Sequence, residues 1–276
     1  MLHLVYNPVA GRGRAAPALA HACAYLDAHG AGYQVLRTEA PGHATALTQA
    51  LPVDATVVAV GGDGTAHEVA KACLGSKRTL GLLPVGSGDD FAFAMGLRRD
   101  DLDGALSRLL AGRAHLVDTG VVNGEPFVNA AGVGFDADVA ARVARAPRLL
   151  KGVAAYLWGV LDALRALDPV PVEVWVDDAL VYRGRSLLVS TQLGPRTGGS
   201  FLFVPGAAND DGLLDVVVAG ELGRAGTLAL LPKVMRGRHL GHPAVHLARG
   251  RRVRLAWERL QPGHVEGEAL PSAAAF

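Results

Sequence analysis

The sequence predicts an α/β fold in two parts: an N-terminal α/β domain over residues 1–118 and an antiparallel β-rich domain over residues 119–276. Three observations carry this. Up to Asp118, short apolar runs alternate with helical stretches. One of those runs, "ATVVAV" (55–60), is continuous and β-branched, as a strand covered on both faces should be. Beyond Asp118, strand signals dominate. There "VPVEVWVDD" alternates, with Val172, Val174 and Val176 on one face and Glu173, Trp175 and Asp177 on the other.

In chain order, His3–Pro8 reads as a strand, Ala15–Ala28 as a helix stopping near Gly30, and Tyr33–Thr38 as the next strand. A helix at His43–Ala50 leads into the β-branched run. Helix Ala66–Leu74, strand Leu80–Val85 and helix Leu102–Ala111 follow. This βαβα order implies a mostly parallel sheet flanked by helices. In the second part, strands are expected at Thr119–Val122, Phe127–Ala131, Val172–Val176, Leu187–Thr191, Leu213–Val218 and Arg252–Trp257. Helical stretches at Arg148–Leu167 and Arg224–Arg236 interrupt them.

Composition narrows the function. The 276 residues carry 27 basic and 26 acidic side chains, so no broad positive field exists for nucleic acid, and none is expected as a partner. Half the residues are hydrophobic, enough for a sizeable core. Cys23 and Cys73 stand apart with no C-x-x-C, which argues for a reducing, cytoplasmic setting. The start lacks the order of a signal peptide, and Gly152–Leu161 is too short to span a bilayer. A soluble or peripheral protein is expected. His239, His242 and His246 do not read as a metal site, because Pro243 interrupts any helix between them and no carboxylate completes the set.

The chemistry concentrates at strand ends. "GGDGT" (Gly61, Gly62, Asp63, Gly64, Thr65) follows the β-branched run and precedes a helix. Glycines there permit a sharp turn and close approach of backbone N–H groups to a ligand, while the following helix directs its positive end at the same point. Asp63 would repel a bare phosphate but suits a bridging Mg²⁺. Thr65 can cap the helix or bond a phosphate oxygen. A plain capped turn has the same spacing. At the next strand end, Gly86-Ser87-Gly88 precedes Asp89 and Asp90. In an open α/β sheet both turns would line one carboxyl-end crevice. "NPVAGRGRA" offers a third loop with Asn7, Gly11, Gly13, Arg12 and Arg14. Neither a Walker P-loop nor a G-x-G-x-x-G fingerprint is present.

Taken together, "NPVAGRG", "GGDGTAHEV", "PVGSGDDFA", "VDTGVVNGEPFVNAAGVGFDADV", "NDDGLLDVVV" and "VEGEAL" resemble, in order, the diacylglycerol kinase catalytic-domain family, which includes sphingosine and ceramide kinases and is distantly related to NAD kinases. The similarity covers nearly the whole chain. It implies a Rossmann-like nucleotide-binding domain, to which the last residues of the chain can return, and a β-sandwich-like domain that presents the lipid. It implies ATP and Mg²⁺ as cofactors, with phosphates on Gly61–Thr65 and Gly86–Gly88, Ser87 keeping the hydroxyl. Asn7 and Thr38 border the adenosine. Asp63, Asp90 and Asp118 would organise catalytic Mg²⁺. Asp211, with Ala208 and Leu213 backbone carbonyls, would hold a structural Mg²⁺. The family's D-G-E reads Glu266-Gly267-Glu268 here, with Glu268 as base and Glu266 orienting or replacing it.

The implied activity is phosphorylation of a lipid hydroxyl at a membrane surface, by default that of diacylglycerol. A sphingoid base or other lipid alcohol as acceptor, an NAD kinase, and a catalytically weak nucleotide-binding regulator are the alternatives. A homodimer is compatible with the resemblance. His67, Asp89, Phe93 and Glu266 depart from the family pattern. Asp89 adds a negative charge that needs a cation nearby, and Phe93 stands where an Arg often follows. The apolar helical stretch 148–167 is read first as packing on the β-domain. Its second reading is a membrane-facing wall with Arg145, Arg148 and Lys151 toward anionic head groups.

Overall fold

A β-branched strand buried on both faces needs cover from both sides, and the first unit supplies it with helices. The computed structural model describes residues 1–143, 145–147, 149–150 and 153–276 and divides into two units, Met1–Leu116 and Val117–Phe276. In the first, β1 (Leu2–Tyr6), α1 (Ala15–Ala28), β2 (Tyr33–Arg37), α2 (His43–Gln49), β3 (Thr56–Gly61), α3 (Asp63–Cys73) and β4 (Thr79–Pro84) alternate. The short α4 (Asp90–Ala94) and α5 (Leu102–Ala111) complete it. All strands are parallel, in the order β2-β1-β3-β4. Val58, Val60, Leu4 and Leu83 pack against Ala18, Ala22 and Leu26 of α1 and Leu106 of α5. The alternate residues Val57 and Ala59 are buried toward the other face, where α2 and α3 lie. Strand order reverses between β1 and β3, the place where such sheets open a crevice at their carboxyl ends.

The second unit is antiparallel and β-rich. It contains the hairpin β5 (Gly120–Val122) and β6 (Glu125–Phe127), then β7 (Ala130–Gly134), α6 (Phe135–Val143), α7 (Val153–Arg165), β8 (Val170–Val176) and β9 (Ala179–Gln192). After these come β10 (Leu214–Gly220), α8 (Arg224–Met235), β11 (Val245–Gly250), β12 (Val253–Val265) and β13 (Glu268–Ala275). The long strands β9 and β12 each pair with β8 at one end and β7 at the other, so the pairings β7–β9–β8–β12–β7 close into a ring. Val172, Val174 and Val176 point inward, as their alternation requires, and meet Val189, Val216, Leu255 and Trp257. The last residues stay in this unit: β13 pairs with β12, and Phe276 exchanges backbone bonds with Leu255.

Three local readings shift. α3 starts at Asp63 rather than Ala66, so the Gly-rich turn runs directly into the helix with Gly62 as its cap. The stretch after Pro243, which the sequence reading keeps out of any helix but leaves unassigned, forms the strand β11, with His246 on it. α6 and α4 were too short and too polar at their starts to stand out. In α7, Val160, Ala163 and Leu164 are buried against Val139 of α6, while Leu157 and Leu161 are exposed. Arg148 and Lys151 lie outside the described residues. No helix among the described residues is long and apolar enough to cross a membrane.

Candidate functional site

Parallel strands put all their carboxyl ends on one edge, and the expected nucleotide residues of the first unit gather there. Asn7 follows β1, Thr38 follows β2, Gly61 ends β3 with Gly62–Thr65 after it, and Gly86–Gly88 follows β4. They are also bonded to one another. Asn7 donates from Nδ2 to Thr65 Oγ1 at 3.1 Å, bridging β1 and β3 where the strand order reverses. The Thr38 N–H donates to the Tyr6 carbonyl. Arg14 reaches from the first loop to the Gly86 carbonyl at 2.5 Å.

The glycines have a steric reason. A β-carbon on Gly62 would stand 2.9 Å from the Gly86 α-carbon, so only a glycine lets these two loops approach. Gly11, at φ +62°, sits against the Val85 carbonyl in the same way.

Asp63 ties the two Gly-rich turns together. Its Oδ2 accepts the N–H of Asp89 at 2.7 Å, and its Oδ1 accepts those of Asp90 at 2.5 Å and Phe91 at 3.4 Å. The first amides of α4 thus find their acceptor in the residue that opens α3. Asp89 is buried with a left-handed backbone, φ +57°. Its Oδ1 accepts the Gly86 N–H at 2.8 Å and its Oδ2 the Arg99 Nε–H at 2.9 Å. Burial pushes the Asp89 carboxyl up, Arg99 holds it down, and Asp63 pushes it up again. Arg99 also donates to the Ser87 carbonyl. This residue is the cation that the extra charge of Asp89 demands. Sequence reading missed it because it lies beyond α4, outside the motif.

A cation fits beside this pair of turns. A β-carbon on Gly88 would stand 2.6 Å from Asp63 Oδ2 and 3.3 Å from Asp90 Oδ2, so two carboxylate oxygens face one small space that glycine leaves open. Mg²⁺ commonly takes one or two carboxylates and completes its shell with phosphate and water. Among the described residues no three His, Cys, Asp or Glu side chains cluster as a ready-made metal cage. Asp118 belongs to the second unit, where its Oδ2 accepts the Gly212 N–H at 2.7 Å.

The second expected Mg²⁺ does not fit its donor set. Asp211 Oδ1 accepts the Leu213 N–H at 3.0 Å, and its Oδ2 pairs with Arg249. The same guanidinium reaches buried Asp215 at 2.7 Å, and the two carboxylates together hold the Arg249 pKa up. A side-chain cation already neutralises this corner, beside Ala208 and Leu213 in the sequence.

Glu266 and Glu268 frame the β12–β13 turn. Glu266 Oε1 accepts the N–H groups of Val128 at 2.8 Å and Asn129 at 2.7 Å, and its own N–H donates to the Ala130 carbonyl. The extra methylene relative to Asp gives this carboxylate reach to the β6–β7 backbone. Glu268 is exposed. The same unit carries a half-open cavity of about 560 Å³, lined by Phe127, Val133, Val189, Leu193, Leu255, Leu270 and Phe276, with Thr191 and His264 as polar points. Arg251, Arg252 and Arg254 also line it, Arg254 stacking 3.7 Å above the Trp175 ring.

Residues 1–122 match the diacylglycerol kinase catalytic domain, and residues 129–275 match the YegS C-terminal NAD kinase beta sandwich-like domain. The chain belongs to the diacylglycerol kinase and YegS-like family of lipid kinases. A diacylglycerol kinase of Bacillus subtilis is 29% identical over 269 residues, covering 96% of this chain and 88% of its own. A Klebsiella pneumoniae protein named "Probable lipid kinase YegS-like" is 33% identical over 217 residues, covering 76% of this chain and 72% of its own. A solved diacylglycerol kinase of Bacillus anthracis superposes with a TM-score of 0.76 at 22% identity, over 99% of this chain and 91% of that one, and shows the shared fold. The lipid kinase therefore carries its Gly-rich turns in the first domain and its cavity in the second.

Proposed function

We propose that this lipid kinase transfers the γ-phosphoryl group of ATP to the hydroxyl of a lipid, with diacylglycerol as the acceptor. The observation that carries this is the knot of loops at the carboxyl edge of the parallel sheet. Gly62 and Gly86 touch backbone to backbone, α3 starts at the same point, and Asp63 and Asp90 flank Gly88. Backbone amides and a helix start suit phosphate, and paired carboxylates suit the metal that accompanies it. Mg²⁺, when bound, would neutralise charge developing on the transferred group. Asn7 and Thr38 would border the adenosine.

In the second domain, the cavity offers an apolar lining of the size that small-molecule sites have, roughly 300–1,000 Å³, which suits part of an acyl chain. Leu157 and Leu161, exposed on α7, suit contact with a membrane surface. Glu268 accepts the proton of the acceptor hydroxyl. The hydroxyl oxygen forms the new bond to the γ-phosphorus, the bond to the bridging oxygen breaks, and ADP leaves with that electron pair. Glu266, held by two backbone amides, orients the turn.

The test is incubation with γ-labelled ATP and Mg²⁺ in mixed micelles containing diacylglycerol, a sphingoid base or another lipid alcohol, with NAD as a soluble acceptor. Label is expected in phosphatidic acid. Label on NAD, or on none of the lipids, would overturn the reading.

A further inference from the structure

We propose that His264 is a positioning residue for the Glu266–Gly267–Glu268 turn, and that Asp136 fixes its tautomer. Its catalytic meaning rests on the kinase reading above; its geometry does not.

His264 lies on β12 two residues before the turn and is 3% exposed. Its Nδ1 stands 3.2 Å from the Gly267 amide nitrogen, and its Nε2 stands 3.3 Å from Asp136 Oδ2. A backbone N–H can only donate, so Nδ1 is the acceptor and the ring proton sits on Nε2, facing the carboxylate. Asp136 is itself fixed at the start of α6, its Oδ1 accepting the Ala137 N–H at 2.9 Å. The strand register leaves room for the pair. His264 is opposite Gly132 of β7, and a β-carbon there would collide with both Asp136 Oδ2 and His264 Nε2. A side chain on Gly132 would therefore separate the two.

The turn needs such a hold. Glu266 (φ +53°) and Gly267 (φ +84°) both occupy the left-handed region, which a side-chain-bearing residue adopts at a cost. Residue 266 is held by its carboxylate on the Val128 and Asn129 amides. Residue 267 is held by His264. Glu268, the next residue, starts β13 and pairs with Val265 across the turn. Its position therefore depends on that pairing and on how firmly the two residues between them are fixed.

The experiment compares His264→Ala with His264→Gln in the full chain. Glutamine offers an amide oxygen to the Gly267 N–H and an amide N–H to Asp136. Hydrogen exchange at the Gly267 amide is expected to rise about tenfold in the alanine variant, the worth of one lost hydrogen bond, and to return close to wild type with glutamine. On the lipid acceptor, kcat is expected to fall roughly 10- to 100-fold in the alanine variant, as small misplacements of a catalytic group do. Both KM values should stay within about threefold, and glutamine should restore most of the rate. Should alanine prevent folding, Asp136→Ala is expected to loosen the same amide by a smaller factor. Unchanged exchange at Gly267 overturns the proposal, and so does faster exchange with an unchanged kcat. A wild-type chain that phosphorylates no lipid would instead sink the kinase reading, and the exchange measurement would still decide whether His264 holds the turn.

Discussion

Replacing Asp63 separates two roles that one carboxylate combines. The sequence alone leads to the expectation that Asp63→Ala abolishes activity and leaves the fold intact. The structure changes the second half. Asp63 accepts two close amide bonds, from Asp89 and Asp90, and a longer one from Phe91. Asp89 and Asp90 are each only 6% exposed, so water cannot easily replace the lost acceptor. A buried donor left without a partner costs about 1–3 kcal/mol. Counting the two short bonds gives roughly 2–6 kcal/mol. Relief of the repulsion between Asp63 and Asp89, which helps to raise the Asp89 pKa, offsets part of it. The expected local loss is about 2–4 kcal/mol, and since 1.36 kcal/mol is tenfold, that corresponds to roughly 30- to 1,000-fold.

The assay must report on the right domain. All the tryptophans, Trp158, Trp175 and Trp257, lie in the second unit, so their fluorescence would miss the event. Hydrogen exchange of peptides covering residues 84–96 reads it directly. Asp63→Ala should lose protection there by the factor above. Asp63→Asn keeps one acceptor oxygen and should lose about 1–2 kcal/mol while losing the charge that a metal needs. If the asparagine variant keeps most of the protection but little activity, the charge serves catalysis. Wild-type protection of residues 84–96 in Asp63→Ala would refute the claim that this carboxylate organises the second Gly-rich turn.

Other outcomes follow from the same geometry. Glu268→Gln should lower turnover by about 100-fold or more with the KM for ATP little changed, and an unchanged rate removes it as the base. Arg249→Ala should lower the Tm by a few degrees, and millimolar Mg²⁺ should recover part of that shift. The wild-type Tm should be indifferent to EDTA without nucleotide, and an EDTA-sensitive wild-type Tm would show that the Arg249 cation does not suffice at Asp211 and Asp215. His239 is buried beside Phe203, and burial lowers its pKa. Below its ordinary value of about 6.5 the unfolded chain binds more protons than the folded one, so stability falls as pH drops. His239→Leu should flatten that acid loss in urea titrations, and an acid limb identical to wild type would count against the burial argument.

How much of this could be read beforehand differs by feature. The parallel sheet was legible because "ATVVAV" is an unbroken apolar run rich in β-branched residues and each Gly-rich turn sits where a strand must end. The alternation at Val172, Val174 and Val176 likewise gave the inward face of β8. The closed ring of pairings was not legible. It depends on β9 and β12 each serving two partners along their length, and which strand pairs with which leaves little trace in a period-two pattern. Asn7, Asp63 and Asp90 could be named because they sit inside motifs, and Thr38 by its match to the family. Arg99 and His264 lie outside those motifs, and Asp136, inside one, could not be singled out because its partner is 128 residues away; that of Arg99 is 10 away.

The departures from the family pattern look like losses when each is taken alone, and the structure shows that two of them come with partners. Asp89 adds a buried charge, and Arg99 meets it with a bond at 2.9 Å. Phe93, where a cation is expected, is 40% exposed, and the guanidinium approaches from beyond α4 instead. Glu266 is one methylene longer than Asp, and that length carries its oxygen to two backbone amides. Two of the altered groups are satisfied in this way, and leaving a buried charge such as Asp89 unpaired would cost stability. The compensation sits at both turns that the phosphoryl-transfer reading requires, Gly86–Asp90 and Glu266–Glu268. The residue that meets the altered Asp89, Arg99, lies outside the motifs by which the family is recognised.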